Sequence, residues 1–186
     1  GGALVPTEGA SFGLIAAEPY GVVGAITPWN VPLSMAAWKL GPALAAGNAV
    51  VLKPSELTPF TTLRIAELSV RAGLPAGLVN VVLGDGRTTG TALVSHPGIA
   101  KVSFTGSGLA GGAIMETIGC TGIKPVTLEL GGKSPQIVFA DADLDRAAGA
   151  VARGILANAG QGCVAGSRLI VEASVVDPLV DRIRAA

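Results

Sequence analysis

A chain of 186 residues is long enough for one full domain, or for one domain and part of another. Its 13 basic and 13 acidic residues cancel, so it carries no electrostatic footprint for nucleic acid or for an anionic membrane surface. Only 14% of residues are charged, against about 25% in typical globular domains, and mean hydropathy is +0.58; much of the surface is therefore expected to be covered by further chain or by a partner subunit. No apolar run approaches the ~20 residues that cross a bilayer, and the N-terminal stretch lacks a basic segment leading into an apolar one. Two cysteines, Cys120 and Cys163, make no disulfide framework, which points to a reducing cytoplasm.

Residues 1–20 are broken by Pro6, Gly9, Gly13 and Pro19 and read as one or two short strands of a hairpin. The pattern then becomes regular. Residues 21–26 read as a buried strand ended by Thr27-Pro-Trp-Asn30, and 32–46 as a helix with proline in its first turn and Gly47-Asn48 after its end. A second strand covers 49–53. Thr58 is placed to cap a helix over 59–72, stopped by Gly73 and Pro75. A third strand over 78–83 leads into a Gly-Asp-Gly loop, a short helix over 89–94 and a fourth strand over 100–104. Ser107 opens a helix to about 118, followed by strands over 126–129 and 136–139. Asp141 or Asp143 can cap a helix over 144–157; a strand over 168–171 and a helix from about 175 close the chain. Strands alternating with helices imply right-handed parallel βαβ units. The fold class is thus an open, mostly parallel α/β sheet with helices on both faces.

In such sheets ligands bind beyond the carboxyl ends of the strands. Polar residues and glycines stand at five of these ends: Asn30; Lys53 and Glu56; Gly86; Thr105-Gly106-Ser107; and Glu129. A site on that edge is expected. Gly106-Ser-Gly-Leu-Ala-Gly111 matches the dinucleotide pattern of a strand, three spaced glycines and a helix, where free backbone N–H groups can meet a phosphate. The pattern recurs by chance in a chain with 27 glycines. Lys53 and Glu56 could hydrogen-bond vicinal ribose hydroxyls, with the carboxylate favouring NAD over NADP; otherwise Glu56 is a solvated residue before a helix. Glu129 ends an apolar strand before two glycines. Partial desolvation there would suit a general base, with a salt bridge to Lys133 as the alternative. Cys163 sits in Asn158-Ala-Gly-Gln-Gly-Cys163-Val-Ala-Gly-Ser-Arg168, among glycines and alanines that leave the sulfur open. It reads either as a nucleophile or as a small buried residue in a turn. His96 reads as a turn residue and Cys120 as inert, and no His/Cys cluster has metal-ligand spacing.

Five blocks taken together resemble the aldehyde dehydrogenase superfamily: Thr27-Pro-Trp-Asn30, residues 47–56, Phe104-Thr-Gly-Ser107, Leu128-Glu-Leu-Gly-Gly-Lys-Ser-Pro135, and Gly160-Gln-Gly-Cys163 with Ser167-Arg168. They occur in family order. The resemblance implies a Rossmann-like cofactor domain over residues 21–131, present in part, and the start of a second α/β catalytic domain over 132–186. Residues 1–20 would fall at the family's strand excursion into an oligomerisation region. The implied activity is oxidation of a small-molecule aldehyde to a carboxylic acid with reduction of NAD, or of NADP as the alternative cofactor. Cys163 is then the nucleophile and Glu129 the base, while Asn30 and the Cys163 N–H form the oxyanion hole. Lys53 and Glu56 hold the adenosine ribose. Ile26, Trp29, Gly86, Gly90 and Phe104 line the adenosine side; Ser107 and the helix N-terminus behind it meet the pyrophosphate, and Thr27, Pro28, Thr105, Gly106, Leu130 and Gly131 complete the cofactor set. A homodimer or homotetramer is implied for the parent protein. Rival readings are an acylating, coenzyme A-dependent dehydrogenase and a nucleotide-binding fragment without catalysis.

Overall fold

The structure is a computed structural model and describes residues 2–185. Strands β1 (Gly2–Val5) and β2 (Gly13–Ala16) form an antiparallel hairpin, paired from Gly2 with Ala16 to Val5 with Gly13. The chain then divides into two compact units. One runs to Leu128; the other begins at Glu129 and also takes in the short segment Gly106–Leu109.

The first unit is built on a five-stranded sheet in the order β5-β4-β3-β6-β7. Its elements follow as β3 (Val22–Ile26), α1 (Pro32–Ala45), β4 (Ala49–Lys53), α2 (Phe60–Arg71), β5 (Val79–Val81), α3 (Thr91–Ser95), β6 (Lys101–Gly106), α4 (Gly108–Thr121) and β7 (Val126–Leu130). β4 and β6 both pair in parallel with β3, and β5 pairs in parallel with β4. The sheet starts in its middle, walks outward through β4 and β5, then returns to β6 on the other side of β3. That reversal between β3 and β6 is the switch point at which doubly wound sheets open a ligand crevice.

Alternation along the strands gives the sheet two dry faces. Ala25, Val50 and Leu52 pack with Ala36 and Leu40 of α1. Ile26, Val102 and Phe104 pack with Leu93 and Val94 of α3 and with Ile114 and Ile118 of α4. Gly24 lets α3 and the turn after it come close: a β-carbon there would stand 3.4 Å from Leu93 Cγ and 3.0 Å from Ile99 Cγ2. Helices α1 and α2 both end in a left-handed glycine, Gly47 and Gly73, with φ of 81° and 92°. In each, the glycine N–H and the N–H after it bond back to carbonyls of the last turn, closing the helix. Asn48 then ties the end of α1 to β3, donating from Nδ2 to the Ala43 carbonyl and accepting the Gly21 N–H.

Three expectations are corrected in this unit. The strand expected over 78–83 pairs only from Val79 to Val81. Thr58 does not cap α2; its hydroxyl donates to the Trp29 carbonyl at 3.2 Å, and Pro59 precedes the helix without a side-chain cap. The helix expected over 89–94 begins as a wide turn, Gly86–Gly90, that runs into α3.

In the second unit, β8 (Pro135–Val138) does not extend the five-stranded sheet. It pairs in parallel with β9 (Arg168–Val171), with Gln136 opposite Leu169 and Val138 opposite Val171. Helices α5 (Leu144–Leu156) and α6 (Val176–Ala185) cover one face, burying Val138, Ala148, Val151 and Leu179. Of the two aspartates proposed as caps, Asp143 does the work, accepting from the N–H groups of Asp145 and Arg146, both at 3.1 Å. An Arg182–Asp145 ion pair of 2.7 Å links the two helices. Among the described residues no helix is long and apolar enough to cross a membrane.

Candidate active site

At the end of β4 the chain carries a buried cation. Lys53 is 3% exposed, although lysine is rarely buried without partners. Its Nζ donates to the carbonyls of Pro54 at 2.9 Å and Gly84 at 2.8 Å, and stands 3.6 Å from the Glu56 carboxylate. Two of its three protons thus serve the backbone and the third faces a carboxylate whose side chain is 57% exposed. The ammonium is fixed and dry; its partner is wet and reachable.

The loop that receives Lys53 is shaped by glycine and aspartate. Gly84 has φ 139°, and a β-carbon there would collide with the Thr89 side chain. Asp85 caps the following turn, accepting the Thr88 N–H at 2.6 Å, and that hydrogen bond holds its carboxyl below the ordinary carboxylate range. Gly90 is buried against the Lys53 stem, where a β-carbon would lie 3.8 Å from Cε. Lys53, Glu56 and Gly90 are therefore brought together, with exposed Gly86 opening the turn beside them.

Thr27 follows β3 and anchors to β4 through its N–H, which donates to the Lys53 carbonyl at 3.1 Å. Its hydroxyl is buried and makes no hydrogen bond among the described residues. Pro28 and Asn30 are half-buried and Trp29 is exposed. Ile26, Phe104 and Thr105 are buried, the first two as members of the core packed on α3 and α4. Gly106 ends β6, and Ser107, between β6 and α4, is exposed.

In the second unit the cysteine loop leaves α5 through two non-glycine residues in left-handed conformation, Asn158 at φ 52° and Ala159 at φ 55°, followed by Gly160 at 75°. Alanine is seldom found there, since its β-carbon crowds the carbonyl. The loop returns to α5 where the Gly166 N–H donates to the Gly154 carbonyl at 3.0 Å, satisfying a helix-end acceptor. Cys163 is a free thiol and is exposed in this chain. Glu129, Leu130 and Gly131 are exposed too. The partial burial expected for the Glu129 carboxylate is thus not present in this chain, and among the described residues no ion pair joins it to Lys133. The segment after it passes close to the loop: a β-carbon on Gly132 would lie 3.5 Å from the Cys163 carbonyl oxygen. Arg168 reinforces that approach, its Nε donating to the Lys133 carbonyl at 2.6 Å.

What the sequence did not mark is Gln136, which bonds the loop's return leg, and Asp85, which shapes the turn under Lys53. Glutamine on a strand carries no local signal, whereas Gly-Asp-Gly is an Asx-turn pattern that could have been read. Among the described residues no three His, Cys, Asp or Glu side chains cluster as a metal site.

A sequence model described as the aldehyde dehydrogenase family matches residues 1–186. The chain is 54% identical over 181 residues to cytosolic aldehyde dehydrogenase 1 of Mus musculus, covering 97% of this chain and 36% of that protein. It superposes with a TM-score of 0.95 and 51% identity on an indole-3-acetaldehyde dehydrogenase solved with NAD+, covering 98% of this chain and 37% of that one. An NAD-dependent aldehyde dehydrogenase from Sinorhizobium meliloti is similar at TM-score 0.95 and 48% identity, over 99% of this chain and 37% of its own. The chain thus spans little more than a third of the length of these relatives. With the family pattern matched from end to end and half its residues shared with such relatives, the chain belongs to the aldehyde dehydrogenase family.

Proposed function

We propose that the complete protein oxidises an aldehyde to a carboxylic acid, using NAD or NADP, with Cys163 as nucleophile. The observation that carries this reading is the free, exposed Cys163 on a left-handed loop, with the segment leading from Glu129 laid against its carbonyl. Residues 132–186 then belong to the catalytic domain and the five-stranded sheet to the cofactor domain.

The residues present suit a dinucleotide. The exposed Glu56 carboxylate, held at one end by buried Lys53, offers acceptors to a ribose diol, and the buried Thr27 hydroxyl at the strand-switch edge has an unused donor. When bound, the nicotinamide supplies the acceptor for two electrons and a proton equivalent. Everything else falls to the chain. The Cys163 thiolate attacks the aldehyde carbon, and the growing negative charge on oxygen meets the Cys163 N–H and, by family resemblance, the Asn30 carboxamide. Collapse of the thiohemiacetal leaves a thioester on Cys163. Glu129 takes a proton from water, the resulting hydroxide attacks the thioester carbonyl, and the acid leaves as the thiolate is restored. The exposure of Glu129 in this chain supports that role.

The test is aldehyde-dependent NADH formation by the complete protein. Cys163→Ala should abolish it; turnover that survives in this variant would sink the reading. Glu129→Gln should keep a first burst of NADH and slow later turnover by about 100-fold or more, because only the second half needs the base. A requirement for coenzyme A in place of water would assign the acylating reaction instead.

A further inference from the structure

Gln136 is a polar side chain on β8 to which the proposed chemistry gives no role. Its Nε2 donates to two carbonyls, that of Val151 in α5 at 3.2 Å and that of Gly166 in the cysteine loop at 2.9 Å. Glycine closes in on the amide from both directions. A β-carbon on Gly154 would stand 2.7 Å from Oε1, and one on Gly166 would overlap Cδ and Nε2. The Gly166 N–H bonds the Gly154 carbonyl at the same place. Strand, helix and loop are thus interlocked around one carboxamide, three residues beyond the thiol.

The loop needs such a hold. Left-handed backbone at Asn158 and Ala159 disfavours its shape locally, so packing outside the loop must over-determine it. We propose that Gln136 is a positioning residue that latches the Cys163 loop to α5 and thereby sets where the thiol and its backbone N–H stand. The proposal rests on the reading of Cys163 as nucleophile. Its physical content is that both donors of one amide face carbonyls, a pairing that neither an apolar nor an anionic side chain of equal length reproduces.

The experiment compares Gln136→Met, Gln136→Glu and Gly166→Ala in the complete protein. Three readouts serve: steady-state kinetics, alkylation of Cys163 by iodoacetamide, and amide hydrogen exchange of residues 160–167. Gln136→Met should lower kcat roughly tenfold or more with little change in the KM for NAD, since small misplacements of a reacting group are costly. Loop exchange should quicken and the alkylation rate shift by a similar factor, while exchange in α1 stays at the wild-type rate. Gly166→Ala, which pushes on the amide from the loop side, should give the same pattern. In Gln136→Glu the ratio to wild type should recover as pH falls, because a protonated carboxyl again donates to one carbonyl; in Gln136→Met that ratio should be flat. Wild-type alkylation and loop exchange in both Gln136 variants overturn the proposal, and so does loss of folding in all three, which would make the amide a general fold determinant. Hydrogen exchange needs no turnover. Activity surviving in Cys163→Ala would therefore refute the nucleophile while the latch is still judged by loop exchange.

Discussion

Lys53 and Glu56 form an ion pair on paper, but the two residues are differently employed. The ammonium is buried and neutralises two carbonyl dipoles; the carboxylate is largely in water, where such a pair contributes little to stability. Substitutions should separate the two. Lys53→Met leaves the Pro54 and Gly84 carbonyls without their donor and should cost about 1–3 kcal/mol, read as a fall in Tm. It should also raise the KM for NAD. Glu56→Gln should change stability by no more than ~0.5 kcal/mol, yet shift the ratio of KM values toward NADP by removing the charge that repels a 2′-phosphate. A large loss of stability in Glu56→Gln would show that the carboxylate is structural.

Among the elements, α5 carries more of the candidate site than its sequence suggests. It begins at a cap, Asp143, and ends by offering the Val151 and Gly154 carbonyls to Gln136 and Gly166. Between them, Ala148 and Val151 bury its inner face. Asp143→Ala should remove acceptors from two N–H groups and cost about 1 kcal/mol. Asp141→Ala, one turn outside the helix, should leave the thermal midpoint unchanged; equal effects at both positions would refute the capping role. The helix was legible because aspartate, an amphipathic run and a following glycine-rich stretch are local signals. Its service to the loop was not, because a carbonyl at a helix end looks the same in any sequence.

For the molecule as a whole, the low charge content reappears as exposed apolar side chains in both units. Leu4, Phe12, Leu14 and Ile15 are open on the β1–β2 hairpin, and Ile137 and Ile170 on the second sheet, with Phe139 just after β8. Monomers rarely leave such patches in water. The 186-residue chain by itself should therefore self-associate, seen as a mass above 18.4 kDa in light scattering, and should turn over no aldehyde. A stable, active monomer of this length would show that the exposed faces need no cover and that the site is complete without further chain.

The sequence alone determined the order and kind of the elements, the Cys163 loop and the cation after β4. Each of these is written in local chemistry: alternating apolar runs, glycines where backbone must turn left, proline and aspartate at helix starts. It also carried the family, because five blocks in order are far more specific than any one of them. Only the tertiary structure decided that β8 leaves the main sheet to pair with β9, that Thr58 serves Trp29 and not α2, and that Glu129 is exposed. Pairing partner, hydrogen-bond partner and burial are relations between residues far apart in the chain, and a strand or a hydroxyl carries the same local signal whichever partner it meets. Gln136 is the clearest case: its meaning comes from Val151 and Gly166, 15 and 30 residues away, meeting at one amide.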